Sequence, residues 1–106
     1  RFPTHLDTPV VPVDSRSQLW PPVSRETSSG ATLGADQQID AEQSLRAMTM
    51  DAAWQSHLED ELGSIEVGKL ADLVVLSDDP LAADADLRTI GVEKTVVGGV
   101  TVFEAD

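Results

Sequence analysis

Apolar side chains follow two different periods along the chain. Between residues 40 and 62 they recur every three or four positions, which predicts helices. Asp40 is a favourable N-cap, and Gln43 stands three residues later, as in a capping box. A second helix is expected after Asp51 and ends before Gly63. The apolar stripe of the first helix consists of Ala41, Leu45, Ala47 and Met48.

From Gly63 onward the pattern changes to that of extended chain. Leu73 to Leu76 is a continuous apolar run, which predicts a strand that is covered on both faces. Val92 to Val97 and Val100 to Phe103 flank two glycines, an arrangement typical of a β-hairpin with a tight turn. The second half of the chain is therefore predicted to hold about three short strands.

The first part of the chain has a weaker pattern. Residues 1–13 contain three prolines and predict a strand end that runs into a loop. Asp14 could cap a helix over residues 14–27, but Pro21 and Pro22 interrupt it, so we expect a short or kinked helix. Residues 28–36 are small and polar and predict a loop. The fold class is therefore α/β.

Composition narrows the possible functions. The chain has 106 residues, enough for one small domain, and only 4% of them are aromatic. With 7 basic and 19 acidic residues, its net charge of −12 disfavours nucleic acid. The absence of cysteine excludes disulfides, thiolate catalysis and Cys-based zinc sites. No apolar run approaches the roughly 20 residues of a membrane span, so we expect no membrane partner. The compartment stays open at this point, with the cytoplasm favoured.

One long segment resembles a known family. Residues 63–76 read GSIEVGKLADLVVL, and Asp79-Pro80-Leu81 and the two-glycine hairpin come after them. This pattern is similar to the C-terminal signature of the amidohydrolase superfamily, where the chain leaves a metal-dependent (β/α)8 barrel and completes a small β-sandwich built from both termini. The resemblance implies that residues 1–62 are the last strand and helices of the barrel, and that residues 63–106 belong to the composite β-sandwich. The residues of the signature are expected to be structural.

A second segment carries the expected chemistry. His5-Leu6-Asp7-Thr8-Pro9-Val10 resembles the end of the eighth barrel strand in the amidohydrolase-3 branch, which includes N-substituted formamide deformylases; residues 39–49 resemble the helix after the barrel in the same branch. In that branch an Asp at this point reaches the metal centre. The resemblance thus implies that Asp7 is both a catalytic residue and a metal ligand. It would take a proton from the attacking water and pass it to the leaving nitrogen, beside a divalent metal expected to be zinc.

Other candidate residues are given structural interpretations. His5 could contact the substrate near Asp7, but a lone histidine is more often a structural hydrogen-bonding group. His57 stands among polar residues and is expected to be exposed to solvent. Asp84-x-Asp86 lacks the glycine and distal glutamate of an EF-hand, so a solvated turn is the favoured interpretation. Arg25 is expected to pair with a carboxylate.

The chain departs from the family in two ways. Pro21 and Pro22 fall where relatives continue a helix, and the early His-x-His pair and later histidines of the family are not in this chain. Because a (β/α)8 barrel needs about 250 residues and residue 1 is Arg, we expect a C-terminal fragment. Its complete protein would hydrolyse non-peptide C–N bonds in small amides, and most metal ligands would lie outside this segment. The fragment alone is predicted to be inactive, and a homo-oligomer is left open.

An alternative from a different functional class is a non-catalytic module. In that case a truncated or split chain would fold only with a barrel partner, to which it supplies the last strand and part of the sandwich. The sequence encoded immediately upstream discriminates the two, because an in-frame His-x-His pair favours the enzyme and a start codon near Arg1 favours the module.

Overall fold

The structure, a computed structural model, describes residues 1–106 and places short helices ahead of one three-stranded sheet. Two 3₁₀ helices occupy Ser15–Gln18 and Ala35–Gln37. The α-helices are α1 (Pro21–Ser24), α2 (Ala41–Met48) and α3 (Met50–Gln55). The strands are β1 (Leu73–Leu76), β2 (Val92–Val97) and β3 (Val100–Glu104), antiparallel in the order β1-β2-β3. The chain is thus a mixed helix and strand structure.

The broken helix before residue 25 is confirmed, with a different role for its prolines. Asp14 caps the first 3₁₀ helix by accepting a hydrogen bond from the Arg16 backbone N–H at 3.1 Å. Pro21 then begins α1 rather than ending the preceding turn. This is physically favourable because the first helical residues have no intrahelical acceptor for their N–H groups, so a proline loses nothing there.

Helix α2 begins as predicted, with a complete capping box. The Asp40 carboxylate accepts from the Gln43 N–H at 2.7 Å, and the Gln43 side-chain oxygen accepts from the Asp40 N–H at 3.2 Å. The buried Ser44 hydroxyl donates to the Leu19 carbonyl at 2.7 Å, which fixes α2 against the segment before α1. At eight residues α2 is the longest helix, and none of the helices could cross a membrane.

The hairpin of β2 and β3 also agrees with the prediction. Val97 pairs with Val100, and Gly98 and Gly99 form the turn with φ of 55° and 81°. Two successive positive φ angles are typical of a type I′ turn, which glycine adopts without strain.

Burial is low throughout the chain, and no residue of the sheet is buried. Only six of the 106 residues are buried, and all six lie outside the strands. The prediction that β1 is covered on both faces is wrong for this chain, since Val74 remains 54% exposed and Val75 45%. An open cavity of about 410 Å³ separates α2 from one face of the sheet, and the apolar side chains of β3 are exposed as well. The sheet therefore lacks a packing partner among these residues.

Candidate functional site

Asp7 lies in a tight turn at the end of an irregular segment. Residues 1–6 form neither a helix nor a strand, so the strand end predicted within residues 1–13 is not observed in this chain. Asp7 comes after them with φ of 54°, in the left-handed region. The Val10 N–H donates to the Asp7 carbonyl at 2.9 Å and closes a turn that contains a cis Thr8–Pro9 bond. Aspartate is one of the few residues that tolerate this backbone conformation. The Asp7 side chain is exposed and forms no hydrogen bond, so its carboxylate is available to a ligand.

The residues just before Asp7 form one wall of an open cavity of about 540 Å³. Its lining includes His5 and Leu6 on one side and Trp20 to Pro22 on the other, but Asp7 is not among the lining residues. His5 is exposed and makes no hydrogen bond, so the structural role expected for it is not observed within this chain.

The carboxylates and histidines of this chain do not form a metal centre by themselves. No group of three or more His, Cys, Asp or Glu side chains converges anywhere in residues 1–106. Structural zinc sites use four protein ligands and catalytic ones about three. Asp7 and His5 could supply at most two, so the residues present do not fit a resident metal on their own.

The surroundings of His57 and Arg25 test the interpretations given to these two residues. His57 is exposed, as predicted, and occupies a turn with φ of 57°. The prediction that Arg25 pairs with a carboxylate is wrong. The Arg25 Nε instead donates to the Leu33 carbonyl at 2.9 Å, and the side chain fastens the loop that comes after α1. A carbonyl eight residues away in an irregular loop could not be foreseen from the sequence pattern.

The acidic pair near residue 85 lies in an exposed turn, as its favoured interpretation requires. Asp84 is exposed, and Asp86 is bonded to Arg88, with 2.9 Å between Nε and Oδ1. The hydrogen bond from the Arg88 side chain holds the pKa of Asp86 below its ordinary value. Asp86 is therefore engaged in a local ion pair.

Sequence reasoning missed Asp51, a carboxylate that is only 5% exposed. Its Oδ2 accepts from the Phe2 N–H at 3.3 Å, and its Oδ1 lies 3.8 Å from the Arg46 Nε and 4.0 Å from the Arg1 Nε. One sequence feature does point to burial of Asp51: it stands between Met50 and two alanines, on the helix that also carries the buried Ala53. A buried carboxylate in such a position requires partners, and here they include the N-terminal segment.

The signature segment is held by side chains that bind backbone groups. The Lys69 Nζ donates to the Glu59 carbonyl at 2.6 Å and to the Ser64 hydroxyl at 2.7 Å, and it lies 3.5 Å from the Glu66 carboxylate. The Asp72 carboxylate accepts from the Gly98 N–H at 2.7 Å and so ties the start of β1 to the hairpin turn. These contacts agree with a structural role for the signature.

Gly63 allows a close approach between that segment and α3. Its φ is 90°, and a Cβ at this position would lie 2.8 Å from the Ala53 Cβ and 3.1 Å from the Thr49 carbonyl oxygen. Only glycine avoids both the steric overlap and the backbone strain at this point.

Comparison with known proteins assigns the family. The model of the amidohydrolase family matches residues 1–103. The chain is 42% identical over 87 residues to an N-substituted formamide deformylase of Arthrobacter pascens, an alignment that covers 81% of this chain and 16% of the deformylase. A crystal structure of an amidohydrolase from Thermotoga maritima MSB8 superposes with a TM-score of 0.55 at 38% identity, over 66% of this chain and 17% of that one. The chain thus spans about one sixth of the length of these relatives, and it belongs to the amidohydrolase family.

Proposed function

We propose that this chain is the C-terminal segment of a metal-dependent amidohydrolase that cleaves non-peptide C–N bonds in small amides. The proposal rests on one structural observation, the exposed and unpaired Asp7 carboxylate that stands on a tight turn after residues 1–6. The 42% identity to an N-substituted formamide deformylase supports N-substituted formamides as the substrate class. The longer polypeptide that would contain this chain is called the complete protein.

Asp7 has the properties that proton transfer requires. Its carboxylate is unpaired, and its turn fixes the direction in which the side chain leaves the backbone. In the proposed reaction Asp7 accepts a proton as water attacks the amide carbon, and it then delivers that proton to the nitrogen as the C–N bond breaks. Formate and a free amine are the products with a formamide substrate. Such acid–base assistance is typically worth about 10² to 10⁴ in rate.

The proposed metal, expected to be zinc, requires ligands from outside this chain. No cluster of three potential ligands exists here, so Asp7 would be one ligand among several that other parts of the complete protein provide. When bound, a divalent metal polarises the amide carbonyl and lowers the pKa of water. Residues 1–106 contribute to that chemistry only the Asp7 carboxylate and the turn that carries it.

The two halves of the chain are proposed to belong to two domains. Residues 1–62 would form the end of the (β/α)8 barrel, where active sites lie at the C-terminal ends of strands, as the position of Asp7 requires. Residues 63–106 would form part of a composite β-sandwich. The exposed apolar faces of β1 and β3 support this assignment because a sandwich buries both inner sheet faces.

The experiment compares the complete protein with the isolated 106-residue chain. The zinc-loaded complete protein is expected to release formate from an N-substituted formamide, and chelation should abolish the reaction. The isolated chain should neither hydrolyse the formamide nor bind zinc with submicromolar affinity in calorimetry, since it lacks a ligand set. Stoichiometric tight zinc binding by the monomeric isolated chain would contradict the proposed division of ligands.

The second candidate function is a non-catalytic module that folds only with a barrel partner. The low burial of the sheet supports this candidate as well as the first, because exposed apolar strands promote association with a partner. Both candidates predict that the isolated chain is oligomeric, aggregated or partly folded, so a sharp unfolding transition from a verified monomer would contradict both. They differ once the rest of the barrel is supplied, by the same polypeptide or by a separate partner: metal-loaded amide hydrolysis that depends on Asp7 supports the enzyme, and its absence supports the module.

A further inference from the structure

The segment that leads to Asp7, residues 1–6, has one hydrogen bond to the rest of the chain. Among residues 1–9, the only hydrogen bond to a residue beyond Val10 is the one that the Phe2 N–H donates to the Asp51 carboxylate, at 3.3 Å. The position and direction of Asp7 relative to the helices therefore depend strongly on this attachment.

Asp51 is built into a small charged cluster on the first turn of α3. The carboxylate is 5% exposed, and two arginine side chains approach its Oδ1, Arg46 from α2 at 3.8 Å and Arg1 at 4.0 Å. The Arg1 guanidinium also lies 5.5 Å from the centre of the Trp54 ring, in cation–π geometry. The cluster thus binds both the backbone and the side chain at the start of the segment.

A buried carboxylate in a helix interface has an unfavourable free energy of desolvation, because the charge loses its hydration there. An apolar residue at this position of α3 could pack against α2 but could not accept a hydrogen bond from the Phe2 N–H. What Asp51 adds is a directional attachment at Phe2. Phe2 lies five residues before Asp7, a length of chain that spans at most about 17 Å.

We infer that Asp51 is a positioning residue for the proposed hydrolysis. It fixes the start of the segment through the Phe2 N–H, and the segment in turn directs the Asp7 carboxylate toward the reacting amide. This inference rests on the proposed role of Asp7. Displacements of about 1 Å in a reacting group can cost about a hundredfold in rate, so a loosened attachment has a measurable effect.

The experiment measures kcat and KM for formamide hydrolysis by the zinc-loaded complete protein and three Asp51 variants. Asp51→Leu removes the acceptor, and kcat should fall at least about tenfold while KM and metal content change less than about twofold. Asp51→Asn keeps an acceptor for the Phe2 N–H and should restore most of kcat. Asp51→Glu moves the carboxylate by one methylene and should give an intermediate kcat. The matched control is Asp84→Asn, an exposed carboxylate without a partner, which should leave kcat unchanged.

A second measurement is independent of activity. Hydrogen exchange, resolved at single amides by NMR, should show faster exchange of the Phe2 N–H in Asp51→Leu, by about tenfold or more, because this substitution removes its acceptor. Exchange in residues 92–104 should be unchanged. If Asp51→Leu does not fold, Asp51→Glu replaces it, and exchange near Phe2 is again compared with exchange in residues 92–104.

The outcomes separate this inference from the proposed function. If Asp7→Asn abolishes hydrolysis but the folded Asp51 variants keep kcat within about twofold, the positioning role is wrong and the proposed function stands. An Asp51→Asn variant as impaired as Asp51→Leu would also overturn the inference, because the hydrogen bond would then not be the relevant contact. If the unsubstituted protein hydrolyses no amide, the proposed function fails, and the exchange measurement still decides whether Asp51 holds the segment.

Discussion

The segment that carries Asp7 and the segment that carries the family signature are held in opposite ways. Residues 1–9 are joined to the rest of the chain by one hydrogen bond, from Phe2 to Asp51, and by the contacts of the exposed Arg1 with Asp51 and Trp54. Residues 63–76 are fixed by Lys69, by Asp72 and by a glycine in close contact with α3. Chemistry is proposed for the loosely held segment, and none for the tightly held one. Functional residues on a lightly attached loop beside a rigid scaffold are a common arrangement in proteins.

The largest effect is expected at Asp7, where activity and stability should separate. Asp7→Asn keeps the size of the side chain and tolerates the left-handed backbone, but removes the basic carboxylate. We expect kcat of the complete protein to fall at least about a hundredfold, with little change in thermal midpoint. The measurement is formate release together with metal analysis of each variant. Controls at Asp84 and His57 should keep kcat, since both side chains are exposed and unpaired. Wild-type kcat in a metal-loaded Asp7→Asn protein would show that the assignment is wrong.

The signature segment should respond in the opposite way, with lost stability and preserved chemistry. Gly63→Ala introduces a Cβ that would lie 2.8 Å from the Ala53 Cβ at a φ of 90°. We expect the free energy of unfolding of the complete protein to fall by about 3 kcal/mol, from overlap and backbone strain together. Chemical denaturation provides the measurement.

Gly68→Ala is the matched control for Gly63→Ala. Gly68 has a φ of 99°, but nothing lies within 4 Å of the position of its Cβ. This variant should therefore lose only the strain contribution, about 1 kcal/mol. Equal losses at the two glycines would show that the contact between Gly63 and α3 contributes nothing.

Lys69 should have a smaller effect than Gly63, again on stability alone. Lys69→Met keeps the aliphatic stem and removes the ammonium that binds the Glu59 carbonyl and the Ser64 hydroxyl. We expect a loss of about 2 kcal/mol in the free energy of unfolding, since the Lys69 side chain is only 15% exposed. Lys94→Met is the control, because Lys94 forms a partly exposed pair with Glu104 on the sheet and should lose less than about 1 kcal/mol. A larger loss at Lys94 would contradict this ranking.

The sequence predicted what depends on neighbouring residues and missed what depends on distant ones. The capping box of Asp40 and Gln43 and the two-glycine hairpin are local, and both are present. The contact between Phe2 and Asp51 joins residues 49 positions apart, so no local sequence pattern predicts it. The expected cover of β1 fails for a related reason, because its packing partners are not among these residues. Only the family resemblance identifies Asp7 as a catalytic candidate, and its role stays a prediction.

The smallest effects are expected from two exposed ion pairs, one in each half of the chain. A hydrogen bond from the Ser64 hydroxyl, and then the charge of Lys69, hold the pKa of Glu66 below its ordinary value of 4.5. Near the N-terminal segment, a hydrogen bond from the Arg16 side chain lowers the pKa of Asp14 from 3.8. A carboxylate with a lowered pKa in the folded state contributes stability that is complete above its unfolded pKa. That contribution is lost as the pH falls through the folded value.

The pH dependence of Glu66→Gln and Asp14→Asn therefore tests whether the two segments also differ in their weakest contacts. Each variant should lower the thermal midpoint of the complete protein only slightly at about pH 7, because exposed pairs are screened by water and salt. The deficit of Glu66→Gln should begin to shrink below about pH 4.5, and that of Asp14→Asn below about pH 3.8, since the carboxylate of the unfolded chain takes up its proton there while the folded one stays ionised to lower pH. Thermal scans between about pH 3 and pH 7 in low salt provide the measurement, with Asp84→Asn as a carboxylate that has no partner. A deficit that stays constant down to about pH 3 would show that the substituted side chain acts through packing rather than charge.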